Sequence, residues 1–147
     1  MNIKNLEGGR ASKAYKYVSE VQKAYSENTD LKYPGAYKSY AKKIPMLIKT
    51  NGLGATFAFV LSKAKNDPGK KEYAYYLLHE QTYKWLQSDE KKHLLEGLDV
   101  KHRNMPGILV NLESNKYRAV TAEVISLFNW LRRFAEGLIE AEETEEA

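Results

Sequence analysis

The stretch S114-N-K-Y-R-A-V-T-A-E-V-I-S-L-F-N-W-L-R-R-F-A-E-G137 decides how this chain folds. Its large apolar side chains stand at Tyr117, Val120, Val124, Leu127, Phe128, Leu131 and Phe134, steps of three, four and seven that follow the helical period. One broad apolar stripe results, on a segment long enough to cross a small domain. Ser114 and Asn115 are candidate N-cap residues, and Gly137 stands where a left-handed C-cap glycine would end the helix. Arg118, Asn129 and Arg132 share the polar side, flanked by Lys116 and Arg133. The pattern predicts the central helix of a bundle, apolar inward and cationic outward.

Outward from this helix, the rest of the chain repeats the same period. Residues 1–9 are polar with a Gly8-Gly9 pair and predict a loose start. A first helix follows from Arg10 to about Asn28, with Ala11, Ala14, Tyr15, Val18, Val21 and Tyr25 as its apolar side. Pro34-Gly35 signals a turn. In Tyr37 to Asn51 the helical pattern continues across Pro45, which has no N–H to donate. Either one helix ends before Pro45 and another begins there, or one helix kinks. Asn51-Gly52 stops it. Leu53 to Lys65 predicts a strongly apolar helix through Leu53, Phe57, Val60, Leu61 and Ala64, with Gly54 and Ala55 small enough for close packing on a neighbour. After the Asn66-Asp67-Pro68-Gly69 turn, a helix from Lys70 to about Gln87 carries Tyr73, Tyr76, Leu77, Tyr83 and Trp85. A short helix from Glu90 to Leu98, a loop over residues 99–107, and one turn or extended stub from Ile108 to Leu112 complete the chain. The fold class expected is all-α, a single helical bundle of about six helices.

The totals agree. With 147 residues and a 43% apolar share, the chain can build one core and is too apolar for intrinsic disorder. The absence of cysteine excludes disulfides, thiolate metal sites and cysteine nucleophiles. No run approaches the roughly 18 apolar residues of a membrane span, and no signal-peptide core is evident, so the expectation is a soluble, cytoplasmic protein with no membrane partner. The net charge of +4 conceals an asymmetry. Residues 1–137 hold 23 basic and 14 acidic side chains, whereas residues 138–147 hold five Glu and no cation. The expected organisation is therefore a basic helical domain over residues 1–137, followed by an acidic, disordered tail over residues 138–147 that could screen the body. A body so basic favours a polyanion, although solvated lysine faces account for much of such charge.

Catalytic chemistry needs particular residues at particular spacings, and the chain does not carry them. His79, His93 and His102 form no i, i+4 pair, and no HExxH or EF-hand pattern occurs. G52-L-G54 lacks the rest of a dinucleotide loop, and there is no P-loop. Helical ribonucleases that place a His shortly after an Arg are disfavoured, because the only Arg before any His is the distant Arg10. No catalytic residue, metal ligand, cofactor or small-molecule substrate is expected. What remains are cations: Lys38, Lys42 and Lys49 on one helical face with Lys43 beside it, Lys63 at the end of the next helix, and Arg132-Arg133 beside Trp130. Point charges interleaved with tyrosines suit contact with phosphates independent of sequence.

Two stretches carry a family resemblance. K42-K-I-P-M-L-I-K-T-N-G-L-G-A-T-F-A-F-V-L-S-K63 and Y117-R-A-V-T-A-E-V-I-S-L-F-N-W-L-R-R-F-A-E136 resemble the signatures of the Cmr-module small subunit of type III-B CRISPR effector complexes. Arg10-Ala11 at the start of the first helix fits as well, whereas residues 64–113 match no signature. The resemblance implies a non-catalytic subunit that stacks in several copies beside the backbone subunits bearing the guide RNA. Its partners would be the other Cmr subunits, copies of itself, and the backbones of guide and target RNA. Target cleavage would belong to the backbone subunits, and the nuclease and cyclase activities to the large subunit. Helical position and charge nominate Lys42, Lys43, Lys49, Arg118, Arg132 and Arg133 for phosphate contact, with Lys63 and Arg10 behind them. Tyr73, Tyr76 and Tyr83 are candidates for a stacking surface. The rival readings are a free-standing helical nucleic-acid-binding protein or regulator, and an enzyme holding a metal on dispersed His and Glu. No recognition-helix pattern supports the former.

Overall fold

The computed structural model describes residues 3–144, with side chains from Gly9 onward. Six α-helices follow in order: α1 (Ile3–Glu27), α2 (Tyr33–Asn51), α3 (Leu53–Lys63), α4 (Tyr73–Leu86), α5 (Met105–Val110) and α6 (Ser114–Leu138). A short 3₁₀ turn, Lys92–Leu95, lies between α4 and α5, and among the described residues no strand forms.

The helix α6 is central, as its stripe predicts: Val120, Val124, Leu127, Phe128 and Leu131 are fully buried. Tyr117 and Phe134 at the two ends of the stripe are half-buried. α1 runs beside α6 in the same direction, since Arg10 meets Glu123, Tyr15 meets Phe134 and Gln22 meets Glu140. α2 runs the opposite way, with Lys42 at Glu136 and the loop after α2 at Tyr117, whose hydroxyl accepts from the Gly54 N–H at 3.1 Å. On the far side of α2, Tyr40 stacks on Tyr75 of α4 with centroids 3.8 Å apart, and the Tyr37 hydroxyl donates to Gln81 at 2.6 Å. Burial pushes the Tyr37 hydroxyl far above its ordinary pKa, so it stays a neutral donor. The small residue Gly54 does permit close packing: a Cβ there would run into Val110 of α5. Ala55 instead faces outward.

Several local expectations are corrected. Backbone in helical form begins at Ile3, where a loose start was expected; residues 1 and 2 lie outside the described residues. Pro34 does not turn the chain but occupies the first turn of α2, where its missing N–H costs nothing. α2 is one helix through Pro45, not two. Ser114 lies inside α6 rather than capping it, and the Glu113 N-cap position makes no side-chain cap bond. Gly137 is a helical residue, since only Gly52 (φ 90°) and Gly97 (φ 84°) have positive φ among the described residues. The expected short helix from Glu90 is a single 3₁₀ turn, and α5 begins inside the expected loop. α4 buries Tyr75, Leu78, Trp85 and Leu86, so Tyr73, Tyr76 and Tyr83 are half-buried flanks. Residues 139–144 are not loose: Ile139 and Ala141 are buried and the segment lies along α2, while residues 145–147 lie outside the described residues.

One buried carboxylate ties these elements together. Glu123 sits among the apolar residues of α6 and is 5% exposed. It accepts from Arg10 through two nitrogens at 2.8 and 3.0 Å, from the Trp85 indole at 2.8 Å, and pairs with Lys91 at 2.9 Å. Burial alone would raise its pKa, but the bonds from Arg10, Lys91 and Trp85 outweigh that and hold it below the ordinary carboxylate value. α1, α4, the segment before the 3₁₀ turn and α6 thus meet at one charge. Breaking a buried pair of this kind leaves uncompensated cations and costs about 3–5 kcal/mol. Glu123→Gln is therefore expected to lower the urea midpoint by that equivalent at neutral pH. A loss under about 1 kcal/mol would mean that water reaches the network.

Candidate nucleic-acid interface

The folded structure sorts the nominated cations into separate places. Arg10 is not a surface contact: its side chain is 13% exposed and committed to Glu123. Its presence in the sequence pattern reflects packing of α1 on α6. Lys43 of α2 and Lys63 of α3 come together instead, with their ammonium groups 5.3 and 5.9 Å from the centre of the Phe59 ring. Phe59 lies off the apolar stripe of α3 and stands edge-on to Tyr75 at 5.9 Å. Beside it, Lys43, Leu47, Asn51, Ala55, Thr56 and Phe59 line a hollow of about 520 Å³. An aromatic floor with cations at its edge is suited to a phosphate chain carrying stackable bases. The sequence signal for Phe59 is an aromatic outside the stripe, one turn before Lys63.

Lys42, on the opposite flank of α2, faces α6. It pairs with Glu136 at 3.2 Å and with Glu143 of the tail. The hydrogen bonds it donates to Glu143 and Glu136 raise its pKa, so it remains cationic. Lys38, one turn earlier, donates at 3.1 Å to the carbonyls of both Ile139 and Ala141. Lys49 is exposed further along the same row. On α6, the Arg133 guanidinium lies 5.9 Å from the Trp130 ring and Arg132 is half-buried. Arg118 is exposed near the other end of α6, bonded to Asn115 at 2.5 Å. The nominated residues therefore do not make one patch; α2 carries cations on two flanks, with Lys63 beside one of them.

The tertiary structure also joins two histidines that lie 23 positions apart. His79 Nδ1 and His102 Nε2 are 3.0 Å apart, and the latter is 3.3 Å from Glu80 Oε2. His102 thus sits between the other two, and among the described residues no His, Cys, Asp and Glu cluster is arranged to hold a metal. Tyr76 and Tyr83 pack around His102, with centroids at 4.9 and 6.2 Å. Those two half-buried rings flank the histidine pair, and Tyr73 stands against Tyr33 and Tyr76. Burial and the neighbouring His102 push the His79 pKa down to about 3. His102 is lowered by burial, against the opposing pull of Glu80 and the Tyr76 backbone. A surface hollow of about 550 Å³ near α5, lined by Leu98, Ile108 and Leu112 with Glu96, Asn104 and Lys116, brings no nucleophile–base pair together.

The fold and this surface define a class: a small helical protein with cations and aromatics set along one helix pair. Comparisons make the class specific. Residues 6–138 match the family described as CRISPR-associated protein (Cas_Cmr5), and the chain belongs to that family. A relative from Thermus thermophilus, "CRISPR system Cmr subunit Cmr5", is 29% identical over 130 residues, spanning 88% of this chain and 92% of the relative. The X-ray structure of a CRISPR-associated Cmr5 family protein from the same organism superposes with a TM-score of 0.67 and 26% identity, covering 91% of this chain and 97% of that one. The Cmr-module resemblance and the all-α fold both hold. No helix among the described residues is long and apolar enough to cross a membrane.

The histidine pair makes a pH prediction. A histidine lowered on folding favours the neutral form, so its contribution is complete above the unfolded value of about 6.5 and is lost as pH falls towards 3. Through His79, unfolding free energy should fall between pH 6.5 and 4.5 by up to about 1.4 kcal/mol per pH unit. His79→Phe should flatten this slope. An unchanged slope would place the acid sensitivity elsewhere.

Proposed function

We propose that this protein is a non-catalytic structural subunit of a type III-B CRISPR (Cmr) ribonucleoprotein effector complex, acting in defence against foreign nucleic acid. Several copies stack beside the backbone that bears the guide RNA, and a basic face contacts the guide–target duplex. Family membership across residues 6–138 carries this reading. Separate cationic patches support it: Lys43 and Lys63 meet at Phe59, Lys49 lies on the other flank of α2, and Arg133 lies over Trp130 with Arg132 next to it in sequence. Such a surface holds a phosphate backbone and leaves sequence recognition to base pairing. The partners are the other Cmr subunits, further copies of this chain, and the guide and target RNA backbones, in the cytoplasm and without cofactor.

A gentle native pull-down of the tagged protein should recover the remaining effector subunits together with CRISPR guide RNA. Recovery of the protein alone, or with unrelated nucleic acid, would favour a free-standing helical nucleic-acid binder. In the assembled complex, Lys43→Glu, Lys49→Glu and Arg132→Glu together should weaken target-RNA binding by tenfold or more. They should also lower the dependence of log affinity on log salt by about 0.7–0.9 for each phosphate that is no longer neutralised. Circular dichroism and the melting midpoint should stay near wild type, because Lys49 is exposed and none of the three lies in the buried network. Unchanged affinity and salt slope would reject the basic face.

A further inference from the structure

The C-terminal segment, an acidic tail by its composition, is docked by a set of directional contacts. After α6 the chain turns onto the first half of α2. The Glu140 N–H donates to Gln22 Oε1 at 2.8 Å, and Gln22 returns a bond to the Glu140 carboxylate at 3.0 Å. Ile139 and Ala141 are buried, and Lys38 bonds both of their carbonyls. The Glu142 carbonyl lies so close to Gly35 that a Cβ there would collide with backbone. The Thr144 N–H donates to the Gly35 carbonyl at 3.3 Å, the Ser39 hydroxyl donates to the Thr144 carbonyl at 2.7 Å, and Glu143 pairs with Lys42.

The seat is therefore Gly35, Lys38, Ser39 and Lys42, at spacings of three, four and seven along one row of α2 that continues to Lys49. This row includes Lys42 and Lys49, two of the cations nominated for phosphate contact. Lys42 directs two of its three donors at Glu143 and Glu136, and Lys38 has two of its three on strap carbonyls, so the docked strap leaves each with one donor for a phosphate. Residues 139–144 bury only two small or medium apolar side chains, and the Lys42–Glu143 pair is exposed to solvent. Such a segment can lift off without unfolding the bundle.

We propose that residues 139–144 are an acidic strap that occupies the Lys38–Lys42 row as an intramolecular stand-in for a polyanion, and that an RNA backbone displaces it on binding. The inference rests on the reading that this protein meets RNA. Displacement frees Lys38 and releases Lys42 from Glu143, leaving Lys42 only its solvent-exposed pair with Glu136, and lines both up with Lys49 in one row. The strap thus lowers affinity for stray, short or weakly held polyanions, and yields to a phosphate chain that can fill the whole row.

The test uses Gly35→Ala in the full chain, which expels the strap by collision while keeping every tail charge. The substitution also favours helix, so α2 stays formed. The probe is a fluorescent oligouridine RNA of about 20 nucleotides at low salt, where phosphate contacts are strongest. Binding is followed by anisotropy, with amide NMR of Ala141 to Thr144 as a direct readout of strap docking. In Gly35→Ala those amides should shift to disordered positions and RNA affinity should rise about threefold to tenfold. In the wild type, added RNA should drive the same amides towards the Gly35→Ala positions. Glu143→Gln should give a smaller gain, because the backbone contacts remain. Equal RNA binding by wild type and Gly35→Ala, or strap amides unmoved by bound RNA, would overturn the strap while leaving RNA contact in place. No binding by either protein would overturn the strap, which would then be a structural brace only, whereas the RNA contact itself stands or falls with the charge reversals in the assembled complex.

Discussion

The bundle depends on how one carboxylate is neutralised inside it. Glu123 is carried on the buried face of α6, between Val120 and Leu127, where an ion without partners would be prohibitively costly. Arg10, Lys91 and Trp85 arrive from three other parts of the chain to meet it. Apolar packing by itself tolerates small slips of one helix along another, since Leu and Val surfaces are interchangeable over short distances. A bidentate Arg–carboxylate bond does not, because its geometry is fixed to tenths of an ångström. The network therefore sets the register of α1 on α6 and fixes the segment after α4 against both.

That register in turn decides which cations remain for function. Arg10 and Lys91 are spent inside, so part of the basic excess is structural. With α2 antiparallel to α6, Lys42 faces Glu136 and the docked tail, while Lys43, one residue further, is turned towards Phe59 and Lys63. Adjacent lysines in sequence thus serve opposite flanks of one helix, about 100° apart around its axis. The acidic tail completes the arrangement by using the surface that its own charge complements.

Much of the fold was legible because helices announce themselves locally. The α6 stripe, the stop at Asn51-Gly52 and the turn at Asp67 follow from period and turn chemistry, and the structure has them. Ends were less legible. Gly137 and Ser114 have the right chemistry for caps but sit within α6, since packing of Leu138 and Ile139 carries the helix past the glycine. Pro34 beside Gly35 reads as a turn, but with Tyr33 and Tyr37 buried the structure makes it the first turn of a helix. In the candidate interface, charge and period placed the lysines on the outer sides of α2 and α3, where a solvated cation has to lie. They could not reveal that Arg10 turns inward, because its carboxylate partner lies 113 positions away. Phe59 escaped notice because it lies outside the stripe.

What the sequence determined by itself is whatever depends on neighbours within a few residues: helix content, the apolar faces, the basic body, the acidic end, and two stretches distinctive enough to place the chain in its family. What only the tertiary structure decided are the meetings of residues far apart in the chain. Glu123 with Arg10 and Lys91, His79 with His102, Lys43 with Lys63 at Phe59, and Glu143 with Lys42 all belong to this set. The reason is physical. Helical period fixes the direction of a side chain relative to its own axis, but not which other axis it faces or at what height. Those are set by the packing of six helices at once, and by the few polar bonds that accept only one register.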